Sequence, residues 1–240
     1  VLLSWRVVAL VINLAAPAWA GPEGAQVAHG QVDIEQSGDV TRITASNNAI
    51  IDYQSFNIAG HETVRFIQPS VSARVLNRVM DGNVTRINGA LLSNGQVYIV
   101  NPAGIYFGGD AVVNVGAITA AAGNITRESF LNQVDHFTQV SGSVINEGTI
   151  DGRAIALIGS RVANYGSIVA PDGLVTMVAG EDVYLSRQGS SILVQVSGGD
   201  ASQAGPAVEN AGVIEAEGGA VRFGASDVYA LAARQSGAVT

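Results

Sequence analysis

Short apolar stretches alternate with polar residues along most of the chain, and one pattern, Val-x-Asn-x-Gly-x-Ile, recurs at 112–118, 144–150, 162–168 and 208–214. Within each copy Val, Asn, Gly and Ile share parity, so on an extended strand all four point to one face. Asn146 and Asn164 lie 18 residues apart. The 46 residues from Asn164 to Asn210 amount to two longer turns of about 23 each. From Asn114 to Asn146 the step is one turn plus an insertion. A second pattern, an acidic or glycine turn and then a strand, follows three of the copies: Asp151-Gly152 before 153–157, Asp172-Gly173 before 174–178 and Gly218-Gly219 before 220–223. Roughly two or three strands in each repeat of about 20 residues make one coil, and a unit so short cannot bury its apolar face alone. The coils must stack. The pattern therefore predicts an all-β chain, a parallel β-helix, in which Ile150, Ile168 and Ile214 form one interior row.

Asn114, Asn146, Asn164 and Asn210 are expected to be structural, an Asn ladder running from coil to coil, because Asn tolerates left-handed backbone and its amide reaches the next Asn. Residues 26–34 and 41–44 alternate around Ser37-Gly38-Asp39, which predicts a hairpin-like cap over the first coil. The cap is assigned to about 21–68 and the coils to about 69–240. In the insertion, Phe130, Leu131, Val134 and Phe137 fall at helical spacings, so 126–137 reads as a short excursion outside the coil.

Composition narrows the chemistry. Hydrophobic residues make up 48% of 240 residues but aromatics only 6%, and 29 glycines supply tight turns, which favours many short Val/Ile/Leu/Ala strands. A net charge of −8 without any basic cluster excludes the electrostatic footprint of nucleic-acid binding. The chain has no cysteine, so it forms no disulfide and can cross an oxidising compartment unfolded without cross-linking. At the start, Arg6 precedes an apolar run at 7–12, and Ala18-Trp19-Ala20 gives a small-x-small ending before Gly21. Residues 1–20 are accordingly assigned as a signal peptide cleaved after Ala20, since Asn13 and Pro17 interrupt any membrane anchor.

No catalytic constellation emerges. His29, His61 and His136 lack a second ligand at metal spacing, and no nucleophile elbow or phosphate loop is present, so neither a metal nor a cofactor is expected. Asp151, Asp172 and Glu217 occupy equivalent places in successive repeats, which admits a polysaccharide-cleaving β-helix as the rival reading. Each stands beside Gly at a turn, where an acidic side chain serves local bonding, and the enzyme reading is set aside.

Residues 75–109 carry Leu76-Asn77-Arg78-Val79, then Gly89-Ala90-Leu91-Leu92-Ser93-Asn94-Gly95, then Asn101-Pro102-Ala103-Gly104-Ile105. In this order they resemble the N-terminal secretion domain of filamentous-haemagglutinin-type exoproteins, the two-partner secretion family. The likeness extends to Gln54-Ser55-Phe56-Asn57-Ile58 and to Glu62-Thr63-Val64-Arg65-Phe66-Ile67-Gln68-Pro69. The resemblance implies a single-stranded, right-handed parallel β-helix with an N-terminal cap and extra-helical hairpins. It implies an adhesin-type exoprotein rather than an enzyme, delivered to the periplasm of a Gram-negative-type bacterium. A partner outer-membrane β-barrel transporter with periplasmic polypeptide-binding domains would recognise it and export it to the cell surface. Contacts with host receptors or glycans would belong to regions beyond this chain. A purely structural surface fibre is the other alternative.

The same resemblance marks Asn77 and Asn101, Pro102, Ala103, Gly104 and Ile105 as candidates for partner recognition. Ala103 departs from the family's Asn-Pro-Asn-Gly-Ile. Read from the residues alone, the pentapeptide is a turn pre-set by Pro102 with positive φ at Gly104, and turn alone stands beside turn plus recognition. As a surface turn residue, Asn101 is expected to tolerate alanine within about 1 kcal/mol.

Overall fold

The computed structural model describes residues 21–188, 191–198, 206–225, 233–235 and 237–240, so the leader and its cleavage position at Ala20 lie outside the described residues. Strands β1 (Gln26–His29), β2 (Val32–Ser37), β3 (Val40–Ala45) and β4 (Ala49–Tyr53) open the fold. The pair β2 and β3 forms an antiparallel hairpin turning at Gly38 and Asp39, and β1 lies antiparallel on β4. Parallel stacking then begins, Val40 against Thr63 and Ala49 against Val75. The coil thus starts near residue 40 and the antiparallel cap is confined to β1 and β2. Residues 40–45 already alternate buried and exposed, as a strand with one face on the core must.

Coils follow as β5 (Thr63–Ile67), β6 (Arg74–Val79) and β7 (Thr85–Ile87), then β8 (Ala90–Ser93), β9 (Gln96–Val100) and β10 (Ile105–Phe107), then β11 (Val112–Asn114) and β12 (Ala117–Ala121). The chain leaves the coil through α1 (Arg127–Leu131) and β13 (Asp135–Phe137). It returns as β14 (Ser143–Asn146), β15 (Thr149–Asp151) and β16 (Ala154–Gly159), then β17 (Arg161–Asn164), β18 (Ser167–Val169) and β19 (Leu174–Ala179). A second departure is the antiparallel hairpin β20 (Asp182–Gln188) and β21 (Ser191–Ser197). The described chain closes with β22 (Val208–Asn210), β23 (Val213–Glu215), β24 (Ala220–Ala225), β25 (Ala233–Gln235) and β26 (Ala238–Val239). Among the described residues, each full turn from β5 on gives one strand to each of three sheets, of nine, eight and six strands in the order the chain visits them, all parallel except for β2 and β1 at the N-terminal edges of the first two. Among the described residues no helix is long and apolar enough to cross a membrane.

Inside the coil, same-face residues stack in columns. Val64, Leu91, Val113, Ile150, Ile168 and Ile214 form one column in the nine-stranded sheet, and all are essentially inaccessible. The glycine of the repeat has a steric cause. A Cβ on Gly148 would sit 2.5 Å from the Gly108 carbonyl oxygen, and Gly166 and Gly212 meet the glycine carbonyl of the preceding coil even more closely. Only a residue without a side chain lets neighbouring backbones approach that near at the corner.

The middle of the eight-stranded sheet is buried on both faces, and its outer side there forms a second core. Ile50, Leu76, Tyr98, Val100, Ile158 and Val178 pack there under Ile125, Phe130, Phe137, Val183 and Leu185. The excursion and the later hairpin join through β13 and β20 into one three-stranded antiparallel cover.

Candidate partner-recognition site

Asn101 to Ile105 form the corner between β9 and β10. The Gly104 amide donates to the Asn101 carbonyl at 2.9 Å, closing a four-residue turn with Pro102 at its second position, where the ring's fixed φ suits it. Asn101 itself is fully buried. Its Nδ2 donates to the Asn83 carbonyl at 2.7 Å and to Thr85 Oγ1 at 2.9 Å, and its Oδ1 accepts the Ala103 amide at 2.9 Å. Both amide hydrogens and the oxygen are thereby used. The expectation of a tolerant surface turn is therefore wrong for Asn101, which staples its own turn to residues 83–85 of the preceding coil. Gly104 has φ 116°, and a Cβ there would lie 2.9 Å from the Ser143 carbonyl oxygen, so strain and crowding both require glycine. Ile105 is buried, while Pro102 and Ala103 are half-buried and form the accessible part of the turn.

Asn77 lies one coil earlier on the strand paired with β9, where Arg78 aligns with Val100, the residue before Asn101. On β6 it points into the coil between Ile51 and Ile99, wholly buried. Its Nδ2 donates to the Tyr98 carbonyl at 3.0 Å, and its Oδ1 has no partner among the described residues. Leu76 and Arg78 face outward on the same strand. Leu76 enters the second core, and Arg78 makes a two-pronged ion pair with Asp52 at 2.7 and 2.9 Å.

The asparagines of the repeat divide. Asn146 Nδ2 donates to Asn164 Oδ1, and Asn164 Nδ2 to Asn210 Oδ1, each at 2.7 Å in the interior. Asn114 is not in this column: it is exposed on the nine-stranded sheet, paired with Leu92 and Asp151. The rung that aligns with Asn146 is Phe107, which aligns in turn with Ile87. Residues 112–118 carry the repeat pattern one corner later than the other three copies, and a seven-residue pattern does not tell two glycine corners apart.

The remaining candidates are also placed. Asp151 aligns with Val169 and Glu215, whereas Asp172 sits in a left-handed turn whose amide donates to the Glu217 carbonyl, so the three acids are not equivalent as expected. His29 Nδ1 lies 3.0 Å from the Asn48 carbonyl oxygen, and His136 Nε2 lies 3.0 Å from Asp182. Gln68, met in the sequence only within the family motif, and Arg74, which no motif marks, are structural anchors. Gln68 bonds the Ala73 carbonyl and Ser93 Oγ, while its own backbone exchanges two bonds with the Asn94 side chain. Arg74 pins the cover: it donates to Asp135 at 2.8 Å and to the Phe130 carbonyl at 3.1 Å, and its guanidinium lies over the Tyr98 and Phe130 rings at 4.7 and 4.5 Å. Beyond the turn, Tyr106 bonds Glu147 across one coil, which raises the phenol's pKa above its ordinary value.

Comparison with known proteins bears on this geometry. The family model described as the TPS secretion domain matches residues 18–239. The solved HMW1 secretion domain from Haemophilus influenzae superposes with a TM-score of 0.81 at 30% identity, over 90% of this chain and 57% of that one. The filamentous hemagglutinin secretion domain, at 13% identity, shares the fold with a TM-score of 0.59, over 91% of this chain and all of its own length. A heme/hemopexin-binding protein of Haemophilus influenzae is 30% identical over 208 residues, 81% of this chain but 23% of the relative.

Proposed function

Because the chain belongs to the TPS secretion domain family, whose members pass through the periplasm of Gram-negative bacteria to the cell surface or the medium, we propose that its partner transporter reads the motif residues before the coils close. One observation carries the proposal. Asn77 and Asn101, the asparagines of the two most recognisable motifs, are fully buried in the folded domain. A side chain with no accessible surface can meet a partner only in an unfolded chain. The transporter's periplasmic polypeptide-binding domains are the partner of that chemistry, and cleavage after Ala20 releases the chain to them.

The test places the full chain in denaturant, dilutes it into native buffer, and presents it to purified periplasmic domains of the transporter at increasing delays. Capture should be high at the shortest delay and vanish as strand content develops. Equal capture of the fully folded chain would mean that a folded surface is read, and the proposal fails. Ala103→Asn gives a second readout. It restores the family's motif at a half-buried position and should raise export yield without moving the denaturation midpoint.

An adhesin activity of the exported protein, in keeping with its likeness to haemagglutinins, is part of this reading and is assigned to regions beyond the secretion domain. The relative named for heme and hemopexin binding is matched over only 23% of its length, and binding of that kind is not carried over to this chain.

A further inference from the structure

The cover over the eight-stranded sheet bridges a trough at one margin. Two outward rows run there, Gln96, Ala117 and Ala154 in one, and Tyr98, Thr119, Ala156 and Thr176 in the other. Alanines in successive coils keep the floor low. A cavity of about 30 Å³ is left between that floor and Asp135 and Leu185 of the cover. Beside it lies a cleft of about 400 Å³ bordered by Arg74, Gln133, Tyr184 and Ser186. Gln96, Tyr98, Asp135 and Leu185 line both spaces, which therefore adjoin.

The floor holds an unexplained polar group. Thr176 is 1% exposed, and its Oγ1 has no hydrogen-bond partner among the described residues. A buried hydroxyl left unpaired is unfavourable, and valine would fill the same shape without one. The cleft's buried charges already balance, since Arg74 and Asp135 pair at 2.8 Å. Hydroxyl and amide groups are then what remains to bind a ligand, Gln96, Gln133, Ser186 and Tyr184 in the cleft and Thr176 in the cavity beside it. A volume of this size lies in the range of small-molecule sites, and the inner cavity admits about two waters or one hydroxymethyl group.

We propose that this cleft binds a neutral polyhydroxylated ligand of one or two sugar units, with one hydroxyl reaching Thr176 through the inner cavity. The probes are D-glucose, D-galactose, D-mannose and N-acetyl-D-glucosamine, each presented to the full chain at about 10 mM in saturation-transfer NMR, a level suited to weak binding. Transfer to at least one sugar is expected. Ala156→Leu should fill the cavity and abolish the transfer with strand content unchanged. Thr176→Val should weaken the affinity roughly three- to tenfold, the worth of one neutral hydrogen bond, without lowering the denaturation midpoint. Two results overturn the proposal: no transfer to any of the four sugars, which leaves a cavity for water only, or transfer undiminished in Ala156→Leu. Should Ala156→Leu lose strand content, Thr176→Val decides alone, and unchanged affinity overturns the site.

Discussion

Where the six-stranded sheet turns toward the nine-stranded one, the inward column begins as Ile87 and Phe107 and continues as Asn146, Asn164 and Asn210. The early coils hold this corner by apolar packing and lean on single staples, Gln68 and Asn101, each used once. The later coils hold it with an amide ladder that repeats from coil to coil. A staple can be read only by its family motif, whereas a ladder announces itself through its period. Backbone stacking is the same in both regions, so what differs is how much each side chain has to do by itself.

The largest effect is expected where both regions share one interior column. Ile168→Asp, between Ile150 and Ile214, would bury an unpaired charge at the centre of the stack and should cost about 4 kcal/mol or more. Val64→Asp in the early coils should cost as much, since Val64 is 1% exposed in the same column. A wild-type urea midpoint for either variant would refute the column.

Much of this was legible in the sequence, and the exceptions have physical causes. The recurring spacing predicts stacking because a coil of that length buries nothing alone, and Ile150, Ile168 and Ile214 do stack. Although its helical spacings mislead beyond Leu131, since Phe137 lies on β13, the 126–137 excursion is visible as an interruption of the repeat. Its docking is not, because the contact that pins it, Arg74 to Asp135, spans 61 residues. Asn-Pro suggests an exposed turn, and Asn101 is buried only because Asn83 and Thr85 of the preceding coil need its amide. The expected cap reached too far because residues 40–68 find parallel partners that sequence alternation does not reveal.

Staple and ladder can be compared directly. Asn101→Ala removes three hydrogen bonds and leaves the Ala103 amide and Thr85 hydroxyl without their partner, which should cost about 2 to 4 kcal/mol. Asn164→Ala breaks the ladder in the middle, taking the acceptor from Asn146 and the donor from Asn210, and should cost about 2 to 3 kcal/mol. The staple loses more because all three of its bonds are short, 2.7 to 2.9 Å, whereas the third bond of Asn164, to the Val213 carbonyl, is 3.4 Å long. Denaturation midpoints in urea rank the two, and a near-neutral Asn101→Ala would remove the staple.

A smaller and local effect is expected at the cover. Arg74→Met keeps much of the apolar stem but loses the ion pair and the ring contacts, and should cost about 1 to 3 kcal/mol. Amide hydrogen exchange should rise in α1 and β13 while β8, β11 and β15 stay protected. Uniform loss of protection would mean that cover and coil unfold as one unit.

The smallest effect probes the junction between the two chemistries. Asn146 Oδ1 is buried without a hydrogen-bond partner among the described residues, because the preceding rung is Phe107 and offers no donor. Phe107→Asn would place an amide there with the same sense as the ladder above, its Nδ2 toward Asn146 Oδ1. The substitution loses a large buried ring, so by itself it destabilises by about 3 kcal/mol or more. The informative quantity is the coupling. In a double-mutant cycle with Asn146→Ala, Phe107→Asn should be about 1 kcal/mol less harmful when Asn146 is present than when it is absent, while Phe107→Ala should show no such difference. Equal costs in both backgrounds would mean that an amide at position 107 cannot join the ladder, and that the early coils exclude it by geometry rather than by choice of side chain.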